Sequence, residues 1–258
     1  MVASIARSAG QKVMEIYRDG IIGTFRKGDG SPLTEADLAS HRIIVRELEG
    51  IEPHWPILSE ESAAVSFDER RHWKRYWLVD PLDGTKEFLG KTGEFTINIA
   101  LIEERFPILG VIYAPAIGKI YYAARGIGAF CEMDGKVERL AVAQRCGAKI
   151  RVVASRSHRG EKLDAFLEKI GEFEAVSMGS SLKFCMIAEG SADIYPRLST
   201  TMEWDSAAAQ CIVEEAGGQV VDLLGNRLQY NKIDLHNPEF MAYGSEPVAR
   251  LVYNTPNA

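Results

Sequence analysis

The sequence predicts a layered fold that mixes α-helices with β-sheets, and three observations carry that prediction. Between residues 94 and 132, β-forming runs separated by turn residues read as an antiparallel meander. After residue 150 the pattern changes to strands alternating with helices, the mark of layered α/β packing. Two helical patterns precede both, at residues 2–18 and from Thr34 to about Gly50.

In chain order, residues 2–18 set Ile5, Ala6, Ala9, Val13, Ile16 and Tyr17 on one stripe, as an amphipathic helix does. Gly28-Asp29-Gly30-Ser31-Pro32 is a loop. Thr34 is a plausible N-cap with Asp37 three residues on, close to the capping-box pattern. Asp37 therefore has a structural role at a helix start and a second reading as an acid aimed into a metal site. Residues 56–59 form a short strand that Glu60 and Glu61 terminate, and 62–75 are a polar surface excursion. Residues 76–79 are a buried strand bounded by Asp80-Pro81-Leu82-Asp83-Gly84-Thr85. The meander comprises 94–102, 107–114, 119–124 and 128–132. Beyond a linker near 143–149, strands are expected at 150–154, 174–177, 192–195, 219–222 and 240–243. Helices are expected at 160–170, 181–190, 203–216 and 247–251.

The chain has 258 residues, 46% hydrophobic and 26% charged, which suits one large domain or two intimately packed lobes, here 1–147 and 148–258. The net charge of −6, with no basic stripe, argues against a nucleic-acid polymer as partner. An anionic small molecule remains compatible if metal ions supply positive charge. Cys131, Cys146, Cys185 and Cys211 have no C-x-x-C spacing, so neither a disulfide framework nor a zinc ribbon is indicated, which fits a reducing compartment. The N-terminal stretch, with Arg7 and Lys12, lacks the continuous apolar core of a secretory signal. No run reaches the ~18 apolar residues of a spanning helix. A soluble, cytoplasmic monomer or homodimer is expected, with peripheral association with the inner membrane as an open alternative.

The chemistry centres on Asp80 and Asp83. Carboxylates this close repel each other unless a cation lies between them. Pro81 and Gly84 favour a tight turn that lets backbone approach a ligand, and exposed N–H groups there can hold a phosphate oxygen. Mg²⁺ favours a few carboxylates plus phosphate oxygens. The plainer reading of the same stretch is a solvated turn. Asp205, at or near the N-cap of the last long helix, is either a helix cap or a third carboxylate of the site.

Glu60-Glu61, Asp80-Pro81-Leu82-Asp83-Gly84-Thr85 and Trp204-Asp205-Ser206-Ala207-Ala208 occur in this order and at separations that resemble the inositol monophosphatase superfamily of metal-dependent, lithium-sensitive phosphatases. The resemblance covers nearly the whole chain. Lys86-Glu87-Phe88, residues 93–102, Ser155-Arg156-Ser157-His158 and Gly179-Ser180-Ser181-Leu182-Lys183-Phe184-Cys185 resemble its CysQ-type 3′(2′),5′-bisphosphate nucleotidase branch. Inositol monophosphatases usually carry Asn-Phe where this chain has Lys86-Glu87-Phe88.

The resemblance implies a five-layer α-β-α-β-α sandwich with the site between two lobes. Glu60, Asp80 and the Leu82 carbonyl would hold a first Mg²⁺; Asp80, Asp83 and Asp205 would hold a second, with Asp80 bridging. Asp37 and Thr85 would orient and help deprotonate the attacking water, and a third, weaker Mg²⁺ near Glu60 would assist. The Gly84 and Thr85 amides would cradle the scissile phosphate, with Asp83 and Asp205 bordering the substrate as well. Ser155, His158, Ser180 and Lys183 would face the nucleotide, Lys183 as a candidate for its second phosphate. Their ordinary readings are a helix cap for Ser180 or Ser181, a loop surface for His158 and a solvated helix face for Lys183.

The implied reaction removes the 3′-phosphate of adenosine 3′,5′-bisphosphate, and of 3′-phosphoadenylyl sulfate as a further substrate, by in-line attack of a metal-activated water. Paired metals acidify water and offset phosphate charge, so no histidine base or phosphoenzyme is needed. Three rivals stand against this. A haloacid-dehalogenase phosphatase fails on spacing, because both Pro81 and Leu82 separate the aspartates. An inositol or sugar phosphatase of the same fold is disfavoured by Lys86 and residues 179–185. An inactive nucleotide-binding module is disfavoured because Glu60, Asp80, Asp83, Thr85 and Asp205 are all present.

Overall fold

The computed structural model describes residues 1–20, 23–26, 32–62, 64–144, 149–154 and 161–244. It opens with helix α1 (Val2–Asp19), which ends where Gly20 turns left-handed at φ 74°. Strands β1 (Thr24–Arg26) and β2 (Pro32–Thr34) form a small antiparallel pair. Thr34 then caps α2 (Glu35–Glu49) in a complete capping box with Asp37. Strand β3 (Ile57–Ser59) runs into a 3₁₀ turn, Glu60–Ser62, followed by the short helix α3 (Phe67–Arg70). Next come β4 (Arg75–Asp83), α4 (Thr85–Leu89), β5 (Thr96–Glu103), β6 (Phe106–Ala114), β7 (Lys119–Ala124), β8 (Gly128–Met133) and β9 (Lys136–Arg139). The second half comprises β10 (Ile150–Ala154), α5 (Glu161–Ile170), β11 (Phe173–Ser177), α6 (Leu182–Ala188), β12 (Ile194–Arg197), α7 (Glu203–Glu215), β13 (Gln219–Asp222) and β14 (Phe240–Tyr243).

The strands build a seven-stranded sheet in the order β3-β4-β5-β6-β7-β8-β9 and a five-stranded sheet in the order β11-β10-β12-β14-β13. Side chains of a strand alternate between its faces, and β4 uses both. Trp77 and Val79 pack with Ile5, Ala9 and Val13 of α1 and Ile44 of α2. Tyr76 and Leu78 face the other way, into a core shared with Phe184, Ala208, Ile212 and Phe240. That second core places α6 and α7 between the two sheets. On the far face of the smaller sheet, Leu163 and Leu167 of α5 meet Val152, Ile194 and Met241. The order is helices, sheet, helices, sheet, helix: the five-layer sandwich.

Several local readings are corrected. The strand that carries Asp80 belongs to a mainly antiparallel sheet, in which β3 and β4 are parallel neighbours. The strand does not stop at Val79 but continues through Asp83, with a register shift between Asp80 and Asp83. The stretch 62–75 is not wholly superficial. Arg70 is 3% exposed and donates to the Asn231 side chain at 2.9 Å and the Ile233 carbonyl at 2.8 Å. Pro32, placed in a loop by sequence, begins β2. The boundary at 147/148, Cys146 and the helix expected at 247–251 lie outside the described residues.

Candidate active site

Because β3 and β4 run parallel, their carboxyl ends lie side by side, and Glu60 follows one as Asp80 ends the regular part of the other. In an undisturbed strand, positions 80 and 83 would point to opposite faces, since their separation is odd. The register shift removes that constraint. Ser40 of α2 pins the irregular stretch by donating to the Pro81 carbonyl at 2.7 Å, and Asp80 Oδ1 accepts the Leu82 N–H at 3.0 Å. Gly84 then takes φ 89° as the residue before α4, a left-handed conformation that is costly for residues with a Cβ.

Asp37 meets both of its sequence readings. Its Oδ2 accepts from the Thr34 N–H at 2.8 Å and the Thr34 hydroxyl at 2.5 Å. Its Oδ1 lies 3.4 Å from the Thr85 hydroxyl, which stands equally far from the Leu82 carbonyl. The helix cap therefore holds one carboxylate oxygen and leaves the other turned to Thr85.

Asp205 stands at the third position of α7 rather than at its N-cap, and its carboxylate reaches back to the Met202 N–H at 2.8 Å. Asp80, Asp83 and Asp205 each offer an oxygen within 4.8 Å of the others. Glu60 lines the same cavity but is not part of that tight group. Burial first, then the charges of Glu60, Asp83 and Asp205, push Asp80 well above the usual carboxylate range. Burial, then Asp83, push Asp205 up to about 8. A divalent cation relieves such repulsion. The available donors, carboxylates and the Leu82 carbonyl, are all oxygens, the set that a hard cation prefers. The site fits Mg²⁺ on that chemistry.

The acids open into a cavity of about 240 Å³ that Gly84, Thr85, Ser180 and Lys183 also line. Lys183 is no solvated helix face: it is 6% exposed, donates to the Ser180 carbonyl at 2.6 Å and lies 5.5 Å from the Tyr195 ring centre. Burial pulls its pKa down to about 8, against the opposing pull of Asp83. Ser180 holds a positive φ of 47°, and its hydroxyl lies 3.4 Å from the Leu182 N–H. Ser181 makes no side-chain cap to α6; it donates to Asp83 instead. Ser155 and His158 lie outside the described residues. Sequence reasoning missed Tyr195, Arg197 and Phe240, which line the cavity, and Asn98, which reaches Ser181. For Asn98 there was a signal: an amide within a strand otherwise built to be buried.

Fold and site together define a layered α/β enzyme of the metal-dependent, phosphate-handling class. Residues 2–252 match the sequence pattern of the inositol monophosphatase family, and the chain belongs to that family. It is 46% identical over 242 residues to the 3′(2′),5′-bisphosphate nucleotidase CysQ of Salmonella typhimurium, covering 93% of this chain and 96% of the relative. With the protein of the same name from Buchnera aphidicola it shares 48% over 231 residues, 89% of this chain and 86% of the other. Among solved structures, CysQ from Bacteroides thetaiotaomicron superposes with a TM-score of 0.83 at 40% identity, covering 95% of this chain and 96% of that one. The Thermotoga maritima IMPase gives a TM-score of 0.80 at 26% identity, covering 97% and 93%. Among the described residues, no helix is long and apolar enough to cross a membrane.

Proposed function

We propose that this protein is a Mg²⁺-dependent phosphomonoesterase that removes the 3′-phosphate of adenosine 3′,5′-bisphosphate, giving AMP and phosphate, and that also accepts 3′-phosphoadenylyl sulfate. The observation that carries the reading is a single cavity in which three clustered carboxylates and a buried lysine share the lining. Identity of 46% to a bisphosphate nucleotidase over 93% of the chain supports the choice of substrate.

In this reading, Glu60, Asp80 and the Leu82 carbonyl hold one Mg²⁺ and Asp80, Asp83 and Asp205 a second, with a third near Glu60. Bound there, the ions offset the charge of the phosphate ester and of the leaving oxygen and acidify water. The Thr85 hydroxyl orients the attacking water and, as it accepts the water's proton, passes its own to Asp37 Oδ1. The Gly84 and Thr85 amides hold phosphate oxygens. Lys183 meets the second phosphate, and Ser180, Ser155 and His158 border the nucleoside. The site lies between lobes 1–147 and 148–258 in this reading. The described cysteines, Cys131, Cys185 and Cys211, are free and buried, which supports a reducing, cytoplasmic setting.

A substrate panel with Mg²⁺, with and without Li⁺, tests the proposal. Adenosine 3′,5′-bisphosphate is expected to turn over far faster than inositol 1-phosphate, and Li⁺ to inhibit. A preference for inositol 1-phosphate would overturn the substrate; full activity in EDTA would overturn the metal dependence.

A further inference from the structure

We infer that Asn98 and Ser181 are a positioning pair that sets the spacing between Asp83 and Asp205. The inference rests on the reading of those acids as cation ligands. Asn98 lies on β5 opposite Asp80 and is 1% exposed. Its side-chain N–H donates to Ser181 Oγ at 2.9 Å. Ser181, 2% exposed, meets Asp83 Oδ2 with both its backbone N–H and its hydroxyl, each at 2.6 Å. The same hydroxyl oxygen lies 2.9 Å from the Asp205 carbonyl.

A serine hydroxyl has one proton to give and lone pairs to fill. With Asn98 donating into the oxygen, the proton goes to Asp83 or to the Asp205 backbone. Ser181 thus stands where the end of β4, the start of α6 and the start of α7 meet, and Asn98 orients its hydroxyl from the large sheet. The Ser181 N–H donates to Asp83 Oδ2 in either case, and the hydroxyl tethers that oxygen or the Asp205 backbone beside it.

Asn98 uses its side-chain N–H on Ser181 rather than on its own strand. Among the described residues the Asn98 Oδ1 is buried and meets no protein donor, so the side chain's one protein hydrogen bond is the one to Ser181. Valine would fit a buried strand better and leave no orphaned acceptor. A buried amide at this strand position is explained by its grip on Ser181.

The test uses Asn98→Val, Ser181→Ala and the double variant. Two quantities are measured: Mg²⁺ affinity by calorimetric titration with Mg²⁺ alone, and thermal unfolding in EDTA. Each single substitution is expected to weaken Mg²⁺ binding about tenfold, the scale on which partners behind metal ligands act. The double variant should be no weaker than the worse single one, because Asn98 works through the Ser181 hydroxyl. Asn98→Val in EDTA should melt at or above the wild type.

Wild-type Mg²⁺ affinity in Asn98→Val, or losses that simply add in the double variant, would overturn the inference. So would a lower melting temperature in EDTA with affinity intact, which marks a purely structural role. A wild type that binds no Mg²⁺ would defeat the parent reading, and the pair with it; that arm is read before any variant.

Discussion

The carboxylate of Asp205 accepts the Met202 N–H, a bond that an asparagine oxygen can also accept. Asp205→Asn should therefore keep α7 in place while removing a ligand charge. Turnover is expected to fall by more than the about 10–100-fold typical of residues behind a metal ligand. In EDTA at pH 8 the same variant should melt above the wild type, because burial and Asp83 oppose the charge it removes. Steady-state rates and melting curves check both halves. Asp80→Asn should be more damaging still, because Asp80 is 1% exposed amid Glu60, Asp83 and Asp205; wild-type-like turnover would sink its assignment. Lys183 supplies a substrate test. Lys183→Met should raise KM about tenfold or more for adenosine 3′,5′-bisphosphate, since hydrogen bonds to charged groups are worth about 1.5–3 kcal/mol. KM for adenosine 3′-monophosphate, which lacks the second phosphate, should change far less.

Among the elements, the long ones announced themselves. The stripe Ile5, Ala6, Ala9, Val13 made α1 legible because one-sided burial imposes a helical period, and the continuous apolar run 76–79 made β4 legible because both its faces are covered. β9 escaped, since all of Lys136–Arg139 is exposed and carries no burial pattern. The irregularity between Asp80 and Asp83 escaped for another reason. It is fixed by distant partners such as Ser40, not by local propensity. The acids themselves were legible as residues, but their convergence depends on Ser181 and α7, far along the chain. Close packing of β6 on α7 was equally silent. A Cβ built on Gly110 would stand 2.2 Å from the Ala208 carbonyl oxygen, which is backbone and cannot swing aside. Gly110→Ala should cost at least about 1–3 kcal/mol in urea unfolding, the usual range for overpacking. Activity should fall too, because the displaced helix carries Asp205.

For the molecule as a whole, the pattern of strands and helices predicted layered packing and the family resemblance supplied the order of the layers, while the pH behaviour belongs to the assembled site. Asp205 has a folded pKa of about 8 against an ordinary value near 4. Between those values the folded chain keeps a proton that the unfolded chain has released. Stability without metal therefore falls as pH rises from about 4 to about 8. Asp80 shifts in the same direction. Mg²⁺ competes with those protons, so the rise in melting temperature that it gives should grow across the same window. Melting curves at pH 5, 6.5 and 8, with EDTA or Mg²⁺, decide the matter; a flat metal-free profile would contradict it. The helix that bears Asp205 has a further consequence. Trp204 and every residue from Ser206 to Val213 are buried between the two sheets. Amides in such a setting exchange with deuterium only when the entire protein opens. The α7 amides should be the last to label, and the acid riding on them stays in place through all local breathing of the chain.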